Sequence, residues 1–221
     1  MKRTSSFPAT ALSAALILTF AAILALSVPG CLFADSSTQD SLSREEDAAL
    51  LEAELQSRIQ YTRDNVTNLA TMIHGLINDE RVNRGLQVLQ WDQDLAQIAL
   101  FHSRDMAERG YFDHVSPAGK DFSDRYRDHG YNLETRVGDQ VFMGGENLFQ
   151  NNVIESYIFD QATQENLEYE FNDLEEIARS TVEGWMDSPG HRENILTPFS
   201  REGIGIYVSD DGAVYITENF S

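Results

Sequence analysis

A chain of 221 residues is long enough for one domain with a substantial core and an N-terminal appendage, but short for two full domains. Its 36 acidic side chains against 16 Lys and Arg give a formal net charge of −20, which repels phosphate and anionic headgroups and excludes nucleic acid as a partner. Because the acids are spread along the chain and salt screens their repulsion, this composition favours a halophilic source over an acidic patch for a basic partner.

Residues 1–35 have the composition of an export signal. Lys2 and Arg3 precede an apolar run from Ala9 to Val28, which would span ~30 Å as a helix. The run suits a cleaved signal peptide, a retained membrane anchor or a lipoprotein signal, since Cys31 closes it in a context that resembles a lipobox with lipidation on that cysteine. All three alternatives place the acidic bulk of the chain outside the cytoplasm, secreted or tethered to the outer face of the membrane.

Cys31 is the only cysteine, so the folded part contains no disulfide and depends on its core for stability. Residues 36–66 are predicted as an acidic tether followed by a helix. A Ser-Arg-Glu-Glu capping-box pattern from Ser43 introduces that helix, and Leu51, Leu55 and Ile59 form its thin apolar stripe.

The domain proper is assigned to residues 67–221, and its first half is predicted to be helical. Apolar residues at helical spacing from Leu69 to Ile77 predict a helix that stops at Gly85. Asp92 is a suitable N-cap for a second helix, which would end at Gly110.

The second half mixes helix and strand. A third short helix is expected near residues 122–130, a central strand before Asn147, and an acidic surface insertion at residues 149–172. Asp173 and Glu176 form a capping box for a further helix. Alternating apolar residues at 203–219, with a turn between them, predict a closing hairpin. The pattern indicates an α+β fold in which helices cover a small antiparallel sheet.

Three of the five histidines suit structural roles. His74 and His102 lie within predicted helices, where surface or boundary positions are expected. His129 precedes a glycine at a helix end, where a cation offsets the helix dipole.

His114 and His191 differ because each comes after a helix stop, Gly110 in one case and Pro189-Gly190 in the other. Functional groups are often held on loops at element ends. Together with Glu146, the two imidazoles form a set that can hold a divalent metal or move a proton. The alternative is a structural His191 hydrogen-bonded to Glu146.

Four ordered motifs resemble the CAP superfamily of cysteine-rich secretory proteins, antigen 5 and pathogenesis-related proteins, also called SCP domains. The motifs are Tyr-Phe-Asp-His at 111–114, Gly-Glu-Asn-Leu at 145–148, the run GWMDSPGHRENIL at 184–196, and Gly-Ile-Gly at 203–205 with Thr-Glu-Asn-Phe at 217–220. The match runs from Leu69 to Phe220 and resembles the disulfide-free prokaryotic branch.

The resemblance implies a three-layer α-β-α sandwich, with a small antiparallel sheet between helices and a cleft lined by two histidines and two acids. The family's cleft histidines fall on His114 and His191, and the acid of its Gly-Glu-Asn motif on Glu146. Glu183 is the candidate for the second acid, with Asp187 as the alternative on the same predicted helix.

These residues support three hypotheses about function. The first is a cleft that binds a small ligand, a lipid or a divalent metal, with Zn²⁺ held by His114 and His191. The second is a metal-dependent hydrolase or peptidase in which Glu146 acts as the base. The third is a structural surface protein whose insertion contacts a protein partner. The sequence contains no His-Glu-x-x-His helix and no Gly-x-Ser-x-Gly elbow, which weakens the second hypothesis.

Overall fold

The computed structural model describes the backbone of residues 36–221 and the side chains of residues 43–221. The predictions for residues 1–35, including lipidation of Cys31, lie outside the described residues. Within the described part, none of the helices is both long and apolar enough to cross a membrane.

Helices and strands alternate irregularly along the chain. The helices are α1 (Ser36–Asp64), α2 (Val66–Val82), α3 (Gln93–Arg109), α4 (Phe122–Asp128), α5 (Leu174–Asp187) and α6 (Pro189–Leu196). The strands are β1 (Gln90–Trp91), β2 (Glu134–Val137), β3 (Gln140–Met143), β4 (Gly145–Asn152), β5 (Ile154–Asp160), β6 (Glu165–Phe171), β7 (Arg201–Val208) and β8 (Ala213–Phe220).

Four strands form the central sheet in the order β1-β7-β8-β4. The short β1 is parallel to β7, and the other neighbours are antiparallel, so the predicted closing hairpin is confirmed as β7 and β8. The strands β2 and β3, and β5 and β6, form two separate two-stranded sheets.

Helices cover the sheet on both faces, which confirms the α+β class and the sandwich implied by the resemblance. On one face, α3 lies against Gly203 and Gly205. A Cβ on Gly205 would lie 1.9 Å from the Leu100 backbone nitrogen, and one on Gly203 would lie 2.1 Å from that of Ala96. Only glycine therefore allows α3 to approach the strand so closely.

On the opposite face, apolar side chains of β7 and β8 pack against α2 and α5. Ile73 and Ile77 of α2, Trp185 of α5 and Ile204 of β7 belong to this buried cluster. Trp185 also donates its indole N–H to the Leu148 carbonyl oxygen at 3.0 Å, so the ring is satisfied as well as buried. This face holds the larger of the two apolar clusters of the described residues.

Several predicted helix ends are confirmed because local chemistry determines them. The Asp92 carboxylate accepts from the backbone N–H groups of Asp94 and Leu95, and Asp173 and Glu176 form both bonds of a capping box. Gly110 ends α3 in the left-handed region, with φ of 66°.

Three expectations differ from the structure. The helix introduced by Ser43 already begins at Ser36, so Ser43 lies inside α1 and does not cap it. The central-sheet strand predicted before Asn147 runs from Gly145 to Asn152 and contains Asn147. The insertion at 149–172 is the end of β4 followed by the β5-β6 hairpin, which its weak periodicity did not indicate.

Candidate functional site

Glu146 lies at the centre of the site because β4 places it beside Asn219 of β8, with its side chain buried. Its two carboxylate oxygens have different partners. The His114 Nδ1–H donates to Oε1 at 2.9 Å, and the Arg125 guanidinium donates to Oε2 at 2.6 Å. The Glu146 carboxylate is therefore bound by the Arg125 guanidinium and the His114 imidazole and is not exposed in an open acidic pocket.

Arg125, on α4, organises the loop that carries His114. Both terminal nitrogens of its guanidinium donate to the His114 carbonyl oxygen at 3.1 Å, and the side chain is only 5% exposed. One buried side chain thus fixes the backbone of His114 and the carboxylate that orients its ring. Arg125 is not among the site residues predicted from the sequence, because its position in a short helix carries no signal for a contact with residue 146.

His191 lies in the first turn of α6. Ser188 separates α5 from α6, and Pro189 occupies the first turn of α6, where its missing N–H costs nothing. Pro189-Gly190 therefore begins a new helix, which corrects the expectation of a simple stop before His191. The His191 and His114 ring centroids are 6.5 Å apart.

The electrostatic environment favours a neutral His191. Partial burial lowers the pKa of His191, and the nearby His114 lowers it further. A neutral imidazole retains a lone pair that can accept a hydrogen bond or bind a metal.

Glu183 and Asp187 are placed differently from the other candidates. Glu183 pairs with Arg179 at 3.3 Å, and its side chain is 62% exposed on α5. Asp187 is the exposed last residue of that helix. Within the described residues, no hydrogen bond or ion pair joins either acid to Glu146 or to the two histidines. The structure therefore brings together three of the four predicted cleft residues and places Glu183 in a surface pair.

His102 lies much closer to the site than expected. Its side chain is 1% exposed, which makes the expected surface or boundary position wrong. The Nε2–H donates to the Asp113 carbonyl oxygen at 3.1 Å, and the same nitrogen lies 3.9 Å from Glu146 Oε1. Burial lowers the pKa of His102 against the opposing attraction of Glu146. The neutral His102 ring thus holds the loop that carries His114 through its bond to the neighbouring Asp113 carbonyl.

The donor set fits a metal only in part. His114 and His191 offer imidazole nitrogens, but both oxygens of Glu146 are already engaged. No group of three or more His, Cys, Asp or Glu side chains in the described part of the chain is arranged to hold an ion. A divalent metal at this site would take two imidazoles from the protein and its remaining ligands from water or a bound molecule.

The family model for CAP, the cysteine-rich secretory protein family, matches residues 74–220. The chain belongs to this family. The match contains His114, Glu146 and His191, and it covers every strand of the central sheet. The family assignment made from the four motifs is thereby confirmed.

Two curated relatives come from Bacillus subtilis (strain 168). The uncharacterized membrane protein YlbC is 32% identical over 70% of this chain and 34% of its own length. The uncharacterized protein YkwD is 33% identical over 66% of this chain and 44% of its own. The chain matches less than half the length of either relative.

Among solved structures, the chain is similar to an extracellular protein containing a SCP domain from Bacillus anthracis str. Ames. The two share 27% identity with a TM-score of 0.50, over 70% of this chain and 40% of that one. The similarity supports the same sandwich fold for this chain.

Proposed function

We propose that this CAP-domain protein is extracellular or surface-tethered and that its cleft binds a small ligand between His114 and His191. The observation that carries the proposal is the pair of imidazole rings 6.5 Å apart, above a buried carboxylate that is already neutralised by Arg125. The cleft therefore presents nitrogen donors and acceptors rather than free negative charge.

The tautomer of His114 indicates which atom meets the ligand. Because Nδ1–H donates to Glu146, the neutral ring carries its lone pair on Nε2. Its side chain is 48% exposed, so a ligand can reach the ring from solvent. A carboxylate on the rear nitrogen of a histidine is the arrangement that orients imidazole ligands in metal sites.

A divalent metal such as Zn²⁺ is the simplest ligand for this pair. With Zn–N bonds of ~2.0–2.1 Å, two imidazoles on one tetrahedral ion have ring centroids about 5 Å apart. The rings are 6.5 Å apart here, so one ion between them would require the rings to approach by about 1 Å and to turn a nitrogen of each toward it. Small organic ligands and lipids with a polar head remain candidates for the same pair of imidazoles.

The proposed location rests on the N-terminal sequence and on the relatives. Lys2 and Arg3 before the apolar run favour export of the rest of the chain. One relative is named a membrane protein and another structure an extracellular protein. A reporter that is active only outside the cytoplasm, fused after Ser221, tests export. Labelling with radioactive fatty acid tests lipidation, which predicts label in the wild type and none in Cys31→Ser.

The binding proposal is tested by thermal unfolding of the full chain with and without Zn²⁺, because a ligand that binds only the native state raises Tm. The wild type is compared with His114→Ala and His191→Ala. His129→Ala is the matched control, since this histidine is exposed and its ring contacts Arg125 and Phe101 rather than His191. A rise that both cleft variants abolish and the control retains supports the proposal. An equal rise in all four proteins places the metal elsewhere.

A further inference from the structure

Two buried glutamates lie side by side on the sheet face that packs against α2. Glu202 of β7 and Glu218 of β8 are diagonal neighbours, since Glu218 pairs directly with Ile204, and neither side chain is exposed to solvent. Diagonal neighbours on one face of a sheet lie within reach of each other's long side chains, so the two carboxyl groups can meet.

The hydrogen bonding of this pair requires a proton. Glu202 Oε2 and Glu218 Oε1 are buried and have no hydrogen-bond partner among the described residues. Two carboxylates contain only acceptors, so they satisfy each other only when one of them is protonated. One shared proton would give both unpartnered oxygens a hydrogen bond. It would also neutralise one of two adjacent buried charges.

The charged and titratable groups that act on the pair within the described structure come from α2. His74 Nδ1 contacts Glu202 Oε1, and Arg81 attracts the pair from a greater distance. The Arg81 guanidinium is itself committed to backbone carbonyl oxygens, including those of Ile195 and Thr197. His74 and Arg81 therefore supply too little positive charge to stabilise two ionised carboxylates side by side.

Asn147 connects the pair to the cleft. Its Nδ2 donates to Glu218 Oε2 at 3.0 Å and to the His191 carbonyl oxygen at 3.2 Å. Its Oδ1 accepts from Asn194 Nδ2 at 2.9 Å, and the same Asn194 amide donates to the Glu146 carbonyl oxygen. Asn147 is completely buried, so no water replaces these bonds.

We propose that Glu202 and Glu218 share one proton and that this acid pair is a positioning element for the cleft, holding His191 through Asn147. Burial supports this, because it raises the pKa of Glu202 to about 7 and raises that of Glu218 well above its ordinary value. Removal of the shared proton creates two adjacent charges, draws the Asn147 amide toward Glu218, and lengthens its bond to His191. The ligand role of His191 rests on the proposed function, whereas the coupling from the acid pair to His191 does not.

The test is an NMR pH series on the full chain without ligand, with ¹³C-labelled glutamate carboxyls and His191 carbonyl. We expect one of the paired carboxyls to remain protonated at neutral pH, and the His191 carbonyl shift to change when that proton is lost. Glu218→Gln keeps a neutral group that can donate to Glu202 and accept from Asn147, so its His191 carbonyl shift should no longer track that step. Glu168→Gln, on an exposed position of β6, is the control that should keep the wild-type behaviour.

Two results would overturn the proposal. One is a pair of carboxyls that titrate in the acidic range of ordinary glutamates. The other is a His191 carbonyl that responds to pH identically in wild type and Glu218→Gln. If Glu218→Gln does not fold, the wild-type carboxyl shifts alone decide whether the proton is held, and Glu202→Gln decides the coupling. None of these measurements uses metal, so failure of Zn²⁺ to raise Tm leaves them unaffected.

Discussion

The Arg125 guanidinium lies 2.6 Å from Glu146 Oε2, and both side chains are almost completely buried. This ion pair connects α4 to β4 and, through the His114 carbonyl, to the loop that carries His114. The candidate site is therefore built on a buried ion pair whose two partners depend on each other.

Replacing Arg125 with Met should strongly destabilise the protein, because Glu146 would keep a buried charge with no cationic partner. Removing one partner of a buried pair costs roughly 3–5 kcal/mol. Urea unfolding followed by tryptophan fluorescence measures the change. Arg127→Met is the control, since Arg127 lies on the same helix in an exposed pair with Asp124 and should cost less than ~1 kcal/mol. Equal losses in the two variants would contradict the importance assigned to the buried pair.

Gly205→Ala should destabilise the sandwich by roughly 3 kcal/mol, because the added Cβ would lie 1.9 Å from the backbone of α3 and force the helix away. Gly75→Ala is the matched substitution on α2, where no atom lies within 4 Å of the added Cβ. It should stabilise by ~0.5–1 kcal/mol through helix propensity. Chemical denaturation of both variants checks the contrast. A tolerated Gly205→Ala would show that α3 does not press on β7.

The acid pair should make the protein less stable as the pH rises. The pKa of Glu202 is raised from 4.5 to about 7, so between these values the folded state binds more protons than the unfolded state. This contribution is complete below pH 4.5 and is lost as the pH rises through about 7. Relative to Glu202→Gln, the wild type should lose roughly 2–3 kcal/mol of unfolding free energy between pH 5 and pH 8.

The comparison with Glu202→Gln is needed because the lowered pKa values of His74, His102 and His191 act in the opposite direction, with stability lost as pH falls below 6.5. The contributions of His102 and His191 are common to both proteins and cancel in the difference. That of His74, which contacts Glu202, is removed when both proteins also carry His74→Gln. Parallel pH profiles for wild type and variant would show that Glu202 ionises normally in the folded state.

Salt should stabilise the protein, since a net charge of −20 causes self-repulsion that added ions screen. We expect Tm to rise from dilute buffer to molar NaCl, and KCl to produce a similar rise because screening depends on ionic strength. Differential scanning calorimetry gives the values. A Tm that stays constant or falls with salt would argue against the halophilic interpretation.

Much of the fold was predictable because its signals are local. Asp92, the Asp173–Glu176 capping box and Gly110 define helix ends through contacts within a few residues. The alternating apolar residues of the final hairpin are likewise a local signal for strands, although both strands are buried along nearly their whole length. The start of helix α1 was harder to predict, because Ser43 resembles an N-cap but lies inside a longer helix.

The site was predictable only where a motif carries it. His114, Glu146 and His191 belong to motifs that the resemblance aligned, and the structure brings them together. Arg125 and His102 reach Glu146 across 21 and 44 positions of sequence, and no local pattern encodes those contacts. Glu218 illustrates the same limit, since an acid in a strand pattern predicts a solvent-facing side chain and this one is completely buried.

The most direct test of the central claim is calorimetric titration of the full chain with Zn²⁺ at pH 7.5, with His114→Ala, His191→Ala and His129→Ala measured in parallel. Ligand binding between the two imidazoles predicts saturable binding of one ion per chain in the wild type and in His129→Ala, and its loss in both cleft variants. Two results would contradict a metal site at His114 and His191. One is a binding heat that neither cleft substitution changes, and the other is no binding heat in the wild type.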